Sequence, residues 1–569
     1  NLLMQFSNYK NLLELFNSQY KKKNLNDSFL IPLNKVNKSF TWEETFNSIQ
    51  KLSGALSKIL NKNDRCLLIS ENRPEWLISD LAIMLSGGVT VPAYTTYTER
   101  DYEYLINDCK PTIIIVSNQL QYNKVEKIIK KKDFIQLLIS FDEINSNFKN
   151  KITIDKIFKD ENYSKKDLIN LKLKRSDIAC IIYTSGTQGN PKGVMLSHGG
   201  IISNCEGSYK LLNQIKFHNL KFLTWLPLSH SYEHTVQFVQ IAVGAKIFYA
   251  ESIDKLLKNM SECSPDIMTA VPRFYQNLYQ KINSNFAKAR GLKRYLIKET
   301  LKLGKMKLLK KKISFLDKMI NKICDLTVRK KIKAQFGGSL KAFVSGGGAL
   351  DKEVGEFLNS IGLPTLQGYG LTETSPVVSC NLISDIRIDT VGPPFSGNLV
   401  KIANDGEILV KGENVMLGYW NNKDETNKVL KNGWLYTGDI GHFENNYLKI
   451  TDRKKDILIT PGGDNISPVK IENDLTKINF IDQALVYGDN KPYLVALLVL
   501  SKENDAISNE KILIQIEKIN KSLPKIEQIK KFISINEQFT IENGMLTPTL
   551  KLKRYKIIKK FKDTLEKLY

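Results

Sequence analysis

Short apolar runs recur along much of the chain: CLLIS at 66–70, TIIIV at 112–116, IACIIY at 178–183, FLTWL at 222–226, KIFYA at 246–250 and KAFVS at 341–345. Runs of this length, rich in β-branched and aromatic residues, predict strands. Longer stretches between them carry helical periodicity, among them Trp42 to Leu60 and Asp351 to Ile361. Alternation of the two predicts an α/β fold, a large N-terminal region of layered, mostly parallel sheets with helices, and ligands bound at loops beyond the strand ends. Past the charge cluster Asp452 to Asp456, two further strand-like runs, Gln483 to Tyr487 and Tyr493 to Leu500, predict a small α+β C-terminal domain. The chain therefore divides at Lys455, into 1–454 and 455–569, with a basic helical insertion at about 276–336 in the first part.

Composition changes this picture little. The 569 residues are 42% hydrophobic and 25% charged, the profile of an ordinary globular protein. No apolar run approaches the ~18 residues of a membrane-spanning helix. The first residues, NLLMQFSNYKNLLELF, lack the apolar core of a secretory signal. Seven scattered cysteines form no CxxC pair, so neither a disulfide framework nor a zinc site is expected, and a reducing, cytoplasmic location is.

Charge adds one local feature. The net +24 owes much to a general abundance of Lys, since Arg occurs eleven times only. Between Lys281 and Lys333, however, eighteen basic residues face Glu299, Asp317 and Asp325 alone. A solvated helix face is the ordinary meaning of such a run. A basic amphipathic segment also suits an anionic lipid surface, so peripheral contact with the inner face of a membrane is an added expectation.

Four motifs carry chemistry. YTSGTQGNPKGV at 183–194 follows a buried-strand pattern and combines glycines, hydroxyls and Lys192, the ingredients of a phosphate loop. Pro191 stands where a Walker A loop has its second glycine, and taken alone the run could also be a hairpin or surface loop. QGYGLTET at 367–374, preceded by SGGGAL at 345–350, starts like a dinucleotide fingerprint but has Glu373 at the last glycine position. Its Tyr369 could stack on a purine, Thr372 hold a phosphoryl oxygen and Glu373 bind magnesium. NGWLYTGDIGHFENNYLKITDRKKD at 432–456 offers Asp439 for ribose hydroxyls and Arg453 for a charge-assisted bond. TPTLKLKR at 547–554 places Lys551, Lys553 and Arg554 together near the end of the chain.

Taken together, these strings resemble the adenylate-forming superfamily, and within it the long-chain fatty acyl-CoA synthetases, from about Phe40 to Tyr555. The resemblance implies ATP-dependent ligation of a long-chain fatty acid to CoA through acyl-AMP, with Mg2+ as cofactor, no nucleic acid partner and a mobile C-terminal domain. It implies phosphate binding by Thr184, Ser185, Gly186, Thr187 and Lys192, and adenine contacts by Gly346, Gly347, Gly348, Gln367, Gly368 and Tyr369. Thr372 would hold the α-phosphate, Glu373 with Thr184 the metal, and Asp439 with Arg453 the ribose. Lys551 would be the catalytic lysine, although Leu550 replaces the glycine that usually precedes it. Lys455 would be the hinge, Gly463 would line the pantetheine channel, and His230 would control the acyl and CoA passages. His230 and His234, four apart, could also form half of a zinc site, but no third ligand stands at the required spacing.

Two other readings remain open. An acyl-AMP ligase loading an acyl carrier protein would share every ATP-site residue. A non-enzymatic lipid-binding scaffold is a different class, and the intact polar residues of the four motifs speak against it. A hydrolase reading lacks a GxSxG elbow. The sequence leaves acyl chain length and oligomeric state, a homodimer included, undetermined.

Overall fold

The computed structural model describes residues 5–163, 172–184, 191–215, 218–501 and 507–569. Two eight-stranded sheets dominate it. One runs in the order Gly418–Tyr419, Lys192–Ser197, Ile178–Thr184, Val89–Ala93, Arg65–Ile69, Ile113–Val116, Leu137–Ser140, Lys151–Thr153. The other runs Val377–Cys380, Thr365–Gly370, Ala342–Ser345, Ile267–Ala270, Lys221–Thr224, Lys246–Tyr249, Ser28–Pro32, Phe40–Thr41. Their central strands pair in parallel, as the alternating pattern predicts; antiparallel strands close three of the four edges, and Lys151–Thr153 closes the fourth in parallel.

A third, five-stranded sheet is antiparallel throughout and is built from residues 399–453, a departure from the mostly parallel expectation. Its strands Trp434–Glu444 and Tyr447–Arg453 are joined by a two-residue turn, Asn445 and Asn446 at φ +48° and +66°, and a hairpin of this kind cannot produce a parallel pair.

Two helices, Pro74–Leu85 and Ser231–Ala242, are buried on every side. They nevertheless carry polar residues, several of which are paired, as most buried polar groups are. His234 Nε2 donates to Asp80 Oδ2 at 2.7 Å, Arg73 holds Glu75 at 2.8 Å, and Thr269 donates to Glu233 at 2.7 Å.

Beyond Arg453 the chain turns through Lys454 to Asp456 and starts a separate apolar core at Leu458. This part holds the three-stranded sheet Ile481–Tyr487, Leu494–Leu500, Ile529–Ile535. Its helix Pro468–Thr476 docks on the large part. Gln280 donates to Thr476 O at 2.8 Å, and Lys477 pairs with Asp351 at 3.1 Å and Glu353 at 3.3 Å. The first helix of the basic region, Pro272–Ala287, thus supports the C-terminal part.

Candidate active site

The two eight-stranded sheets and the C-terminal part meet at one cleft. SGGGAL follows the strand Ala342–Ser345, and QGYG is the end of its parallel neighbour Thr365–Gly370. Adjacent parallel strands deliver both loops to the same sheet edge. Gly347 has φ +83°, a backbone that suits glycine. A side chain on Gly346 would start 2.7 Å from the Tyr232 ring. These loops therefore leave backbone, without side chains, facing the cleft.

Asp439 and Arg453 sit directly opposite each other on neighbouring antiparallel strands, with Arg453 Nε 3.5 Å from Asp439 Oδ1. Tyr369 donates its hydroxyl to Asp439 Oδ2 at 2.6 Å. Burial raises the Asp439 carboxyl above its ordinary range, and Arg453, Tyr369 and Lys551 oppose that shift without cancelling it.

Lys551 reaches this cluster from the C-terminal part. Its Cε lies 4.0 Å and 3.9 Å from where a Cβ would stand on Gly347 and Gly348. Surrounding protein and the Arg453 guanidinium push its ammonium down to about 8, although the side chain keeps contact with water. Lys553 is elsewhere, at the position before the helix Arg554–Glu566 and feeling Asp101, while Arg554 is spent on buried Glu472 at 2.6 Å.

A loop of backbone bonds presents Lys551. Thr547 N donates to Lys551 O at 2.8 Å, and Lys551 N donates to Thr547 Oγ1 at 3.0 Å. Leu550 within it adopts φ +63°, the conformation that glycine takes without strain. Its side chain packs against the apolar cores of both parts of the molecule. Leu550→Gly and Leu550→Ala separate these two roles. Both are expected to lose the contact between the two cores, about 1 kcal/mol of stability. Gly should unfold at higher urea than Ala, since only Gly relieves the backbone by about 1 to 2 kcal/mol. Equal midpoints for the two variants would refute the strain.

From the Gly346, Gly347 and Tyr369 edge an apolar cavity with about 730 Å³ of empty space, part of it open to solvent, runs into the molecule. Leu211, Leu212, Phe222, Val236, Ile267 and Phe395 line its inner part. Its apolar lining is of the kind small-molecule sites have.

The first family model that matches, described as AMP-binding enzyme, covers residues 18–420, and a second, AMP-binding enzyme C-terminal domain, covers 455–569. The chain belongs to the AMP-binding enzyme family. Long-chain-fatty-acid–CoA ligase FadD15 of Mycobacterium bovis is 29% identical to this AMP-binding enzyme, over 93% of this chain and 92% of that protein. Long-chain-fatty-acid–CoA ligase 5 of Mus musculus is 31% identical, over 88% of this chain and 79% of that protein. Among solved structures, an anthranilate CoA ligase in complex with anthranoyl-AMP superposes with a TM-score of 0.76 at 19% identity, over 98% of this chain and 99% of the other. The last likeness concerns the fold.

In this AMP-binding enzyme the remaining expected residues fall as follows. Of YTSGTQGNPKGV, the described ends pair antiparallel, Tyr183 with Gly193 and Thr184 with Lys192. Ser185, Gly186 and Thr187 lie outside the described residues. Lys192 pairs with Glu425 and stands 5.1 Å over the Tyr419 ring. Tyr419 in turn donates to Glu373 Oε1 at 2.9 Å. Thr372 Oγ1 is 3.1 Å from Ser231 Oγ. Gln367 spends its amide inside the protein, accepting from Leu350 N at 2.7 Å and donating to Ile388 O at 2.9 Å, so its side chain shapes the SGGGAL loop. Gly368 lines the cavity.

His230 is the N-cap of the helix Ser231–Ala242 and accepts from Tyr232 N at 3.1 Å; burial, and Lys551 nearby, push its imidazole down to about 3. His234 points away, to Asp80. Lys455 stands exposed in the turn between the two parts, and Gly463, at φ +88°, has open space around it. Sequence reasoning missed Tyr419, which links Lys192 to Glu373. Its signal was the GYW string at 418–420, an aromatic pair after a glycine at φ +139°.

Proposed function

We propose that this enzyme ligates a long-chain fatty acid to CoA at the expense of ATP, through an acyl-AMP intermediate. The observation that carries the reading is the apolar cavity lined by Gly347 and Tyr369, with Tyr369 bonded to Asp439 and Lys551 beside Gly347. An acyl chain would enter along this apolar lining, with its carboxylate beside Lys551. The relatives' names, which specify long-chain fatty acids, support the same substrate class.

In the first step a carboxylate oxygen attacks the α-phosphorus of ATP and pyrophosphate leaves. Lys551 donates to the oxygens on which negative charge grows, and Thr372 and the glycine backbone of SGGGAL position the nucleotide. Asp439 accepts from the ribose hydroxyls, with Arg453 fixing its orientation. Glu373, whose Oε1 is held by Tyr419, and the Thr184 hydroxyl are hard oxygen donors of the kind magnesium takes, and the ion bound there would neutralise phosphoryl charge. In the second step the CoA sulfur attacks the acyl carbon and AMP leaves. A rotation about Lys455 would withdraw Lys551 and bring Gly463 to the pantetheine arm.

Palmitate should drive pyrophosphate release from ATP, and CoA should then convert the adenylate to a thioester with stoichiometric AMP. Thioester formed on an acyl carrier protein but not on CoA would instead make the chain a carrier-loading ligase. No acid-dependent pyrophosphate release from any of a panel of short and long acids would sink the enzymatic reading.

A further inference from the structure

The helices Gly291–Leu308 and Phe315–Cys324 lie against each other, with Cys324 Sγ donating to Leu296 O at 3.7 Å. Cys324 is buried on the inner face of its helix. The opposite face is apolar and uncovered. Phe315, Leu316, Met319 and Ile323 are 76%, 70%, 54% and 48% exposed. At the helical repeat of 100° per residue they share an arc of about 100°. Leu326, in the π-helical turn Asp325–Arg329 that follows, is 64% exposed. Single exposed apolar residues are ordinary, but a contiguous face marks a contact surface.

The lysines around this face decide what it contacts. Lys311 and Lys312 precede the helix, Lys318 and Lys322 border the apolar arc, and all four are exposed. The few acids nearby are already engaged. Asp317 caps the helix through Ser314, Asp325 holds Arg329 at 2.8 Å and Glu299 faces Lys302 at 3.5 Å. Protein interfaces are depleted in lysine, whereas helices that lie in a membrane surface combine Phe and Leu on one side with lysine on the other. Long lysine stems let the charge reach phosphate while the apolar face sinks.

We propose that the face of Phe315, Leu316, Met319 and Ile323 docks into an anionic lipid bilayer surface, with Lys311, Lys312, Lys318 and Lys322 on the headgroup phosphates. The docking is independent of which acid the enzyme activates.

Vesicle flotation of the full chain tests this, with vesicles of phosphatidylcholine alone and of phosphatidylcholine with phosphatidylglycerol in equal parts. The protein should float with the mixed vesicles at least tenfold better than with the neutral ones, and added salt should weaken the association, since exposed charges are screened over about 8 Å at physiological ionic strength. Phe315→Ser/Leu316→Ser/Met319→Ser should lose at least tenfold in binding with an unchanged circular dichroism melt. Lys311→Glu/Lys318→Glu/Lys322→Glu should lose the anionic preference. Lys556→Glu/Lys559→Glu/Lys562→Glu makes the same change in net charge elsewhere and should keep it. Equal flotation with both vesicles, an unchanged serine variant, or an equal loss in the control variant would each overturn the proposal. So would a dimer in sedimentation velocity that the serine variant converts to monomer without any change in vesicle binding, since a second copy would then cover the face.

Discussion

Lys551→Ala is expected to slow acyl-adenylate formation by roughly 100-fold to 1000-fold, the ~3 to 4 kcal/mol typical of losing one preorganised donor to developing charge. The cause is positional: Lys551 is the lysine of TPTLKLKR that the C-terminal part lays over Gly347 and Gly348. Pyrophosphate release in a single turnover measures the loss. Preformed acyl-AMP should still be converted to acyl-CoA by the variant, since that step does not use the ammonium. Lys553→Ala should adenylate near the wild-type rate, because Lys553 stands at the start of the helix Arg554–Glu566, within the field of Asp101. The wild-type adenylation rate should also fall as pH rises through about 8, where Lys551 loses its proton. A split phenotype in Lys553→Ala, with Lys551→Ala active, would refute the assignment.

Asp80→Ala is expected to destabilise the protein by about 3 to 5 kcal/mol, the usual consequence of removing one member of a fully buried ion pair. Asp80 and His234 are 0% and 1% exposed and 2.7 Å apart, on the two helices that are buried on all sides. Burial by itself would lower the His234 imidazole; the Asp80 carboxylate, with Cys180 beside it, more than reverses this and pushes it up to about 10. A histidine raised from about 6.5 in this way contributes stability that is complete below pH 6.5 and lost as pH climbs through about 10. The gap in urea midpoint between wild type and Asp80→Ala should therefore narrow across that window. A gap that stays constant or widens with pH would mean that His234 is neutral in the folded protein.

Part of the molecule was legible in the sequence because it is written in local pattern. The runs at 66–70, 112–116 and 341–345 became central parallel strands, since a short apolar segment between helical segments has few other ways to bury both faces. The glycines of SGGGAL and QGYGLTET stood out in the sequence; in the fold Gly347 takes a positive φ and Gly346 leaves no room for a side chain beside Tyr232. Asp439 and Arg453 were recognisable as members of one signature, although only the hairpin register makes them partners.

What the sequence left open depends on contacts between distant segments, for which no local periodicity exists. By resemblance the sequence picked Lys551 from the three basic residues of TPTLKLKR, but where each goes depends on the docking of the helix Pro468–Thr476 on the larger part, which lays Lys551 beside Gly347 and Gly348 while Arg554 turns to Glu472. Leu550 read as a departure from the glycine pattern; the fold keeps the left-handed backbone there and uses the side chain to join two cores. Lysine excess between 281 and 333 was visible as composition. That Phe315, Leu316, Met319 and Ile323 stand uncovered among those lysines was not, because an amphipathic helix shows which residues share a face, and only the packing of its neighbours determines whether that face is buried.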